Sequence, residues 1–107
     1  MAQIGTFILK DDVWTGTIRT LTLNVRARLV PGRDRTKDAP EFRLYAGGAQ
    51  AGAAWRQAPR DGGASWLAVR LDDPSFAQPI RAAFFESPGE AKGVLVWNRA
   101  NRPDKVS

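Results

Sequence analysis

Arginines and aromatic residues recur at every second position in several short apolar segments. In RTLTLNVRARLV, residues 19–30, apolar residues alternate with threonine, asparagine and arginine, which predicts a strand with one buried and one wet face. EFRLYA, SWLAVRL and PIRAAFFE repeat this alternation. The predicted wet faces hold eight candidate residues: Arg26, Arg28, Arg43, Tyr45, Trp66, Arg70, Arg81 and Phe85. Sheet surfaces bind single-stranded nucleic acid with arginines on phosphate and exposed rings on bases, so these eight form a candidate nucleic-acid-binding set.

Two structural alternatives compete with this interpretation. In a sandwich a strand can be buried on both faces, so Trp66 and Phe85 would fill the core and only scattered arginines would remain. In the second alternative, those arginines pair with Asp and Glu side chains on neighbouring strands. A one-residue bulge would also reverse the facing assignments beyond it.

The charge balance is basic and dominated by arginine. Lys and Arg number 16 against 11 for Asp and Glu, which gives a net charge of +5, and arginine supplies 12 of the 16 cations. Arginine forms bidentate bonds to phosphate and stacks on flat rings, so this bias favours a nucleic-acid partner. It is also compatible with a surface that only keeps the protein soluble.

The chain has neither histidine nor cysteine. It therefore cannot build a Ser-His-Asp triad, a Cys-His pair, a disulfide or an ordinary zinc site. A metal would have to be a hard ion held by Asp and Glu oxygens. No catalytic, cofactor-binding or metal site is predicted, and we do not expect an enzyme.

Two short motifs are explained by turns. LDDPSF places Asp72 and Asp73 side by side, but adjacent side chains point different ways, and Asp before Pro is typical of a turn or helix cap. The segment AGGAQAG lacks the lysine, serine and helix that follow a phosphate-binding loop, so it is interpreted as a hairpin connection.

Frequent turn signals divide the chain into seven or eight short strands. No window has the three-and-four spacing of a stable helix, and DDPSFAQ allows at most one short helical turn. The expected fold is all-β, a single small antiparallel sandwich or barrel over residues 1–99, with a polar tail at 100–107. Trp14, Trp55 and Trp97 are assigned mostly to the core, since large rings help a small domain close.

The first residues, MAQIGTFILKDD, lack the features of a signal peptide, and no segment approaches the roughly 18 apolar residues that span a bilayer. A cytoplasmic protein without a membrane partner is therefore expected.

Four segments, MAQIGTF, GTIRTLTLNV, GAAW and LDDPSFAQPI, occur in this order along the chain. With them the chain resembles domain-of-unknown-function family 736 from Met1 to Trp97. The resemblance implies a small protein of proteobacterial plasmids and conjugative elements, with a role in the upkeep, transfer or regulation of mobile DNA. It implies no activity.

Two functions remain open at this stage. One is a non-enzymatic accessory or regulatory protein of a mobile element that binds nucleic acid, DNA rather than RNA. The other is a protein-interaction module, an adaptor or inhibitor, because Trp, Tyr and Arg also favour protein interfaces. An unpaired edge strand would offer a route to a protein partner or a homodimer.

Overall fold

The protein is a closed barrel of eight antiparallel strands. A computed structural model describes residues 2–33, 36, 38–59, 62–87 and 89–97. The strands are β1 (Ala2–Lys10), β2 (Val13–Arg19), β3 (Asn24–Pro31), β4 (Phe42–Ala46), β5 (Ala49–Gln57), β6 (Trp66–Leu71), β7 (Ile80–Ser87) and β8 (Lys92–Trp97). The expected small antiparallel barrel is confirmed, whereas the polar tail predicted at 100–107 lies outside the described residues.

Each strand pairs with the next along the chain, and β8 pairs with β1 to close the ring. All eight strands therefore have a neighbour on both sides. The edge strand that was expected to recruit a partner does not exist among them, because closure pairs both edges of the sheet.

The segment DDPSFAQ forms a single turn and no helix. Phe76 donates its backbone N–H to the Asp73 carbonyl oxygen at 2.8 Å, and the Asp73 carboxylate accepts the Ser75 N–H at 2.9 Å. A hydrogen bond from the Ser75 hydroxyl and, to a lesser extent, one from its backbone N–H hold the pKa of Asp73 below its usual value. Asp73 therefore closes the turn, as its position before a proline predicts.

Alternate residues of every strand fill the barrel interior. The largest fully buried side chains are Phe7, Phe84, Ile18, Leu29, Leu44, Leu67, Leu71 and Leu95. Phe84 meets Phe7 edge to face at a centroid distance of 5.5 Å, and Trp14 at 5.0 Å. An eight-stranded barrel is just wide enough for side chains to fill, so its chemistry belongs to the outer wall and the two ends.

Two glycines are required by close approach of the neighbouring strand. A Cβ added to Gly16 would lie 2.1 Å from the Thr6 carbonyl oxygen, and one added to Gly52 would lie 2.0 Å from that of Arg70. No heavy atom can occupy such a position without moving backbone. These glycines let the strands coil tightly enough to close the barrel.

The predicted positions of the tryptophans are only partly right. Trp14 is buried, as expected, and Trp97 is half-buried against the core. Trp55 was expected in the core, and this is wrong: Gly52 and Ala54 take the inward positions of β5, which leaves Trp55 half-buried on the outer wall. Its indole N–H donates to the Asp38 carbonyl oxygen at 3.2 Å.

Arg56, near the end of β5, joins three other segments of the chain at one end of the barrel. Its Nη2 lies 2.6 Å from Glu41 Oε2, before β4, and its Nη1 lies 2.5 Å from Glu86 Oε1, in β7. Nη1 also donates to Ser65 Oγ at 3.3 Å, just before β6. The hydrogen bond to Glu41 is the main cause that raises the pKa of Arg56. This cluster fixes the ends of β4, β6 and β7 against one another.

Replacing Arg56 should therefore destabilise the fold. We expect Arg56→Met to lower the free energy of unfolding by about 1–3 kcal/mol, since it leaves the half-buried Glu86 carboxylate without its charged partner. Urea unfolding would measure the change. Arg19→Met, at the exposed end of β2, is the control and should stay within about 0.5 kcal/mol of the parent. Equal values for both variants would show that the cluster adds no more than a surface ion pair.

Candidate nucleic-acid interface

The outer wall of the barrel carries cations, and the carboxylates lie elsewhere. Outward strand positions hold Lys10, Arg19, Arg26, Arg28, Arg43, Arg70, Arg81 and Lys92. Within the described ranges, every Asp and Glu except Glu86 lies in a turn or loop, and Glu86 is directed inward to Arg56. Because the outer wall is positively charged while the carboxylates lie in turns and loops, an anionic ligand is attracted to the sides of the barrel.

Five arginines of this wall form a band across β3 to β7, which we call the basic belt: Arg26, Arg28, Arg43, Arg70 and Arg81. Arg43 faces Ala53 across the β4–β5 pair, and Ala53 faces Arg70 across β5–β6. Arg70 in turn faces Arg81 across β6–β7. These residues therefore form a row that runs around the barrel, perpendicular to the strands.

At the β3–β4 end of the belt, arginines surround Tyr45. The Arg28 guanidinium carbon lies 5.9 Å from the centre of the Tyr45 ring, a cation–π distance. The Tyr45 ring lines two open hollows. Arg26 and Arg28 also line the first, of about 300 Å³, and Arg33 and Arg43 also line the second, of about 500 Å³. Arg33 was not among the predicted residues, because it follows the end of β3 and lies outside any strand alternation.

At the β6–β7 end, three pairs of side chains succeed one another along the wall. Trp66 and Phe85 lie with ring centroids 6.1 Å apart and ring planes inclined by 30°. Ala68 and Ala83 come next, directly opposite each other, followed by Arg70 and Arg81. Phe85 is 42% exposed, so this end presents rings, a small-residue strip and arginines in order.

The model of the family described as Protein of unknown function (DUF736) matches residues 3–100. The chain belongs to this family. The family predicted from the sequence is thus confirmed, and the whole belt lies inside the matched range. Neither a curated protein nor a solved structure matches the chain.

The DUF736 barrel turns all eight predicted residues away from its core. Trp66, Tyr45 and Arg43 are half-buried, and the other five are exposed. The period of two therefore placed every one of them on the correct face. The alternative in which Trp66 and Phe85 fill a doubly buried layer is wrong, because the closed barrel has one interior and β6 and β7 fill it with other residues.

The same residues do not share one flat face. In a closed ring of eight strands, β3 and β7 are four strands apart and lie on opposite sides. Arg26 and Arg28 therefore face away from Arg81 and Phe85, and Arg43 lies between the two groups. A ligand that contacts both ends must follow the curvature of the wall.

Most belt arginines have no acidic partner in the described part of the chain. Arg70 is the exception, with Nη2 at 3.8 Å from Asp72 Oδ2 and both side chains half exposed. Arg70 and Arg81 also face each other directly, and like charges so placed destabilise a sheet pair. An anion that bridges the two would remove this repulsion.

Metal-ligating clusters and membrane-spanning helices are both absent from the described residues of the DUF736 barrel. These residues contain no group of three or more Asp, Glu, His or Cys residues able to hold a metal ion. Among these residues there is also no helix long and apolar enough to cross a membrane.

Proposed function

We propose that this chain is a non-enzymatic, cytoplasmic accessory protein of a mobile element that binds nucleic acid, DNA rather than RNA, on the outer wall of its barrel. One observation supports the proposal above the others: outward strand positions in the described ranges carry arginines and lysines and no carboxylate. The preference for DNA and the mobile-element setting rest on what family resemblance implies.

The belt suits phosphate because its arginines require little rearrangement. Arg26, Arg28, Arg43 and Arg81 form no ion pair with a described residue, so no internal ion pair must break before a phosphate is bound. A guanidinium offers two parallel donors to phosphate oxygens. Each phosphate neutralised in this way releases condensed counterions, which makes the affinity depend steeply on salt.

A salt-stepped titration tests the proposal. Single-stranded and then duplex DNA would be added to the protein between about 0.05 and 0.2 M salt, with tryptophan fluorescence and oligonucleotide anisotropy as readouts. We expect the logarithm of the affinity to fall linearly with the logarithm of the salt concentration. No binding to either DNA at low salt would overturn the proposal.

Arg26→Ala combined with Arg28→Ala is expected to lower the affinity on the order of 10- to 100-fold at about 0.05 M salt and to flatten the salt slope by more than one unit. Both side chains are exposed, so folding should be unchanged. The control is Lys10→Ala with Lys92→Ala, which removes the same charge from outside the belt. Equal losses in both variants would mean that net charge alone drives binding.

A second function, a protein-interaction module acting as adaptor or inhibitor, is favoured by an apolar region of the wall. Ile8 is 58% exposed and Phe85 is 42% exposed, and Phe85 faces Val94 across β7–β8. Exposed apolar side chains of this kind mark protein contacts when they are contiguous. Since an apolar interface hardly responds to salt, the titration above distinguishes the two functions.

A further inference from the structure

The outer face of the β6–β7 pair carries rings, alanines and arginines in a fixed order. Attraction between a basic wall and an anion does not by itself require this order. Along this face the cross-strand pairs are Trp66 with Phe85, Ala68 with Ala83, and Arg70 with Arg81. Successive pairs on one face are two residues apart, so the alanine pair lies about 7 Å from the rings on one side and from the arginines on the other. The two methyl groups are the lowest part of the surface between taller side chains.

The neighbouring strands supply the other two sides of this recess. Trp55 of β5 faces Ala68, and Val96 of β8 faces Ala83. The recess therefore has an alanine floor, with the Trp66–Phe85 rings at one end and two arginines at the other. On its remaining sides are Val96 and Trp55, whose indole is directed to the Asp38 carbonyl oxygen. A flat aromatic ligand with an attached anion matches this order of surfaces, because its ring would lie against indole and phenyl groups while its anion meets the guanidinium pair.

The belt adds a second constraint, on the flexibility of the ligand. It extends across four strand spacings of about 4.8 Å each, from one side of the barrel to the opposite side. Duplex DNA is stiff over about 150 base pairs and contacts a strongly curved wall only locally. A single strand bends within a few nucleotides and can follow the belt from Arg28 through Arg43 to Arg81.

We infer that the ligand of the wall is single-stranded nucleic acid, with a base held over the Ala68–Ala83 floor and its phosphates along the basic belt. This inference rests on the proposed function and deepens it. Trp66 and Phe85 recognise the base, Arg70 and Arg81 recognise the phosphate beside it, and the alanines leave space for the ring. Because ring stacking accepts every base, no strong sequence preference is expected.

The experiment compares three probes on the full chain: oligothymidylate of about 12 nucleotides, an abasic strand of the same length, and the corresponding duplex. We expect the oligothymidylate to bind most tightly and to quench tryptophan fluorescence. The combined change of Trp66 and Phe85 to alanine should weaken oligothymidylate binding about fivefold or more and leave the abasic strand unaffected. Changing Arg70 and Arg81 to alanine should weaken both strands.

A substitution in the alanine floor keeps the test valid if the variant with alanine at Trp66 and Phe85 fails to fold. Ala83→Gln fills the recess without changing charge or removing a ring, and we expect it to weaken oligothymidylate binding alone. Thr6→Gln on the outer face of β1 is its matched control, and should bind as the parent does, because neither cross-strand neighbour of Thr6 is a belt residue. Thermal melting verifies that each variant is folded.

The outcomes separate this inference from the proposed function. If all three probes bind but the duplex binds at least as tightly as the single strands, or the abasic strand equals oligothymidylate, the base site is overturned while nucleic-acid binding stands. If no probe binds at low salt, both the inference and the proposed function fail.

Discussion

Phe84→Ala is expected to lower the free energy of unfolding by about 3–5 kcal/mol, which is much of the total stability of a small domain. Phe84 is fully buried, and its ring contacts both Phe7 and Trp14 edge to face. Its removal loses buried apolar area and leaves a cavity beside the Phe7 and Trp14 rings. Thermal unfolding should show a midpoint lowered by about 15 °C or more.

Phe85→Ala is the natural control for this prediction, because it changes the same residue type one position along. Phe85 faces outward and is 42% exposed, so we expect its loss to cost about 1 kcal/mol or less. If Phe85→Ala were instead the more damaging change, β7 would present its other face to the core, and the recess between β6 and β7 would not exist.

The combined alanine variant of Arg26, Arg28, Arg70 and Arg81 is expected to bind single-stranded DNA about a thousandfold more weakly than the parent at about 0.05 M salt. It removes both ends of the belt and reduces the net charge from +5 to +1. The salt slope should fall by about three units, because each lost phosphate contact removes about 0.7 units on a single strand. Anisotropy titrations at several salt concentrations give both quantities.

The control variant carries alanine at Lys10, Arg19 and Lys92, the wall cations outside the belt. We expect a decrease well below that of the belt variant, since these residues contribute only to the long-range field. Loss of affinity in proportion to the charge removed, regardless of position, would contradict a defined belt. All four substituted belt residues are exposed, so melting temperatures should change by only a few degrees.

Period-two alternation and turn residues were sufficient to predict the fold class. They also placed the eight candidate residues on the outside, because a strand with one buried face leaves no choice for its alternate positions. They did not distinguish a sandwich from a barrel, since both have the same alternation. That choice depends on the pairing of β1 with β8, between residues far apart in the chain.

Trp55 shows where local reasoning fails. The small residues before it suggested space for an indole, but Gly52 and Ala54 themselves occupy the interior, where the neighbouring backbone passes very close to Gly52. A register shift beside Ala51 decides which residues of β5 face inward, and bulges of this kind have no clear sequence signal.

The arrangement of the candidate residues around the barrel could not be predicted from the sequence, for a related reason. Alternation shows that Arg28 and Arg81 face solvent, but not that they lie on opposite sides of a ring. The order of strands decides this, and so does the direct opposition of Ala68 to Ala83. Arg33 joined the site only through its position in the loop after β3.

The pairing of Ala2 with Trp97 also has a consequence during synthesis. The ring closes with contacts of high sequence separation, which form slowly. While a ribosome has released only the first seven strands, β1 and β7 each lack a neighbour, and the nascent chain presents two open edges. Folding is therefore expected to finish only after β8 leaves the exit tunnel, so a message truncated before that strand yields a product prone to aggregation rather than a weaker binder.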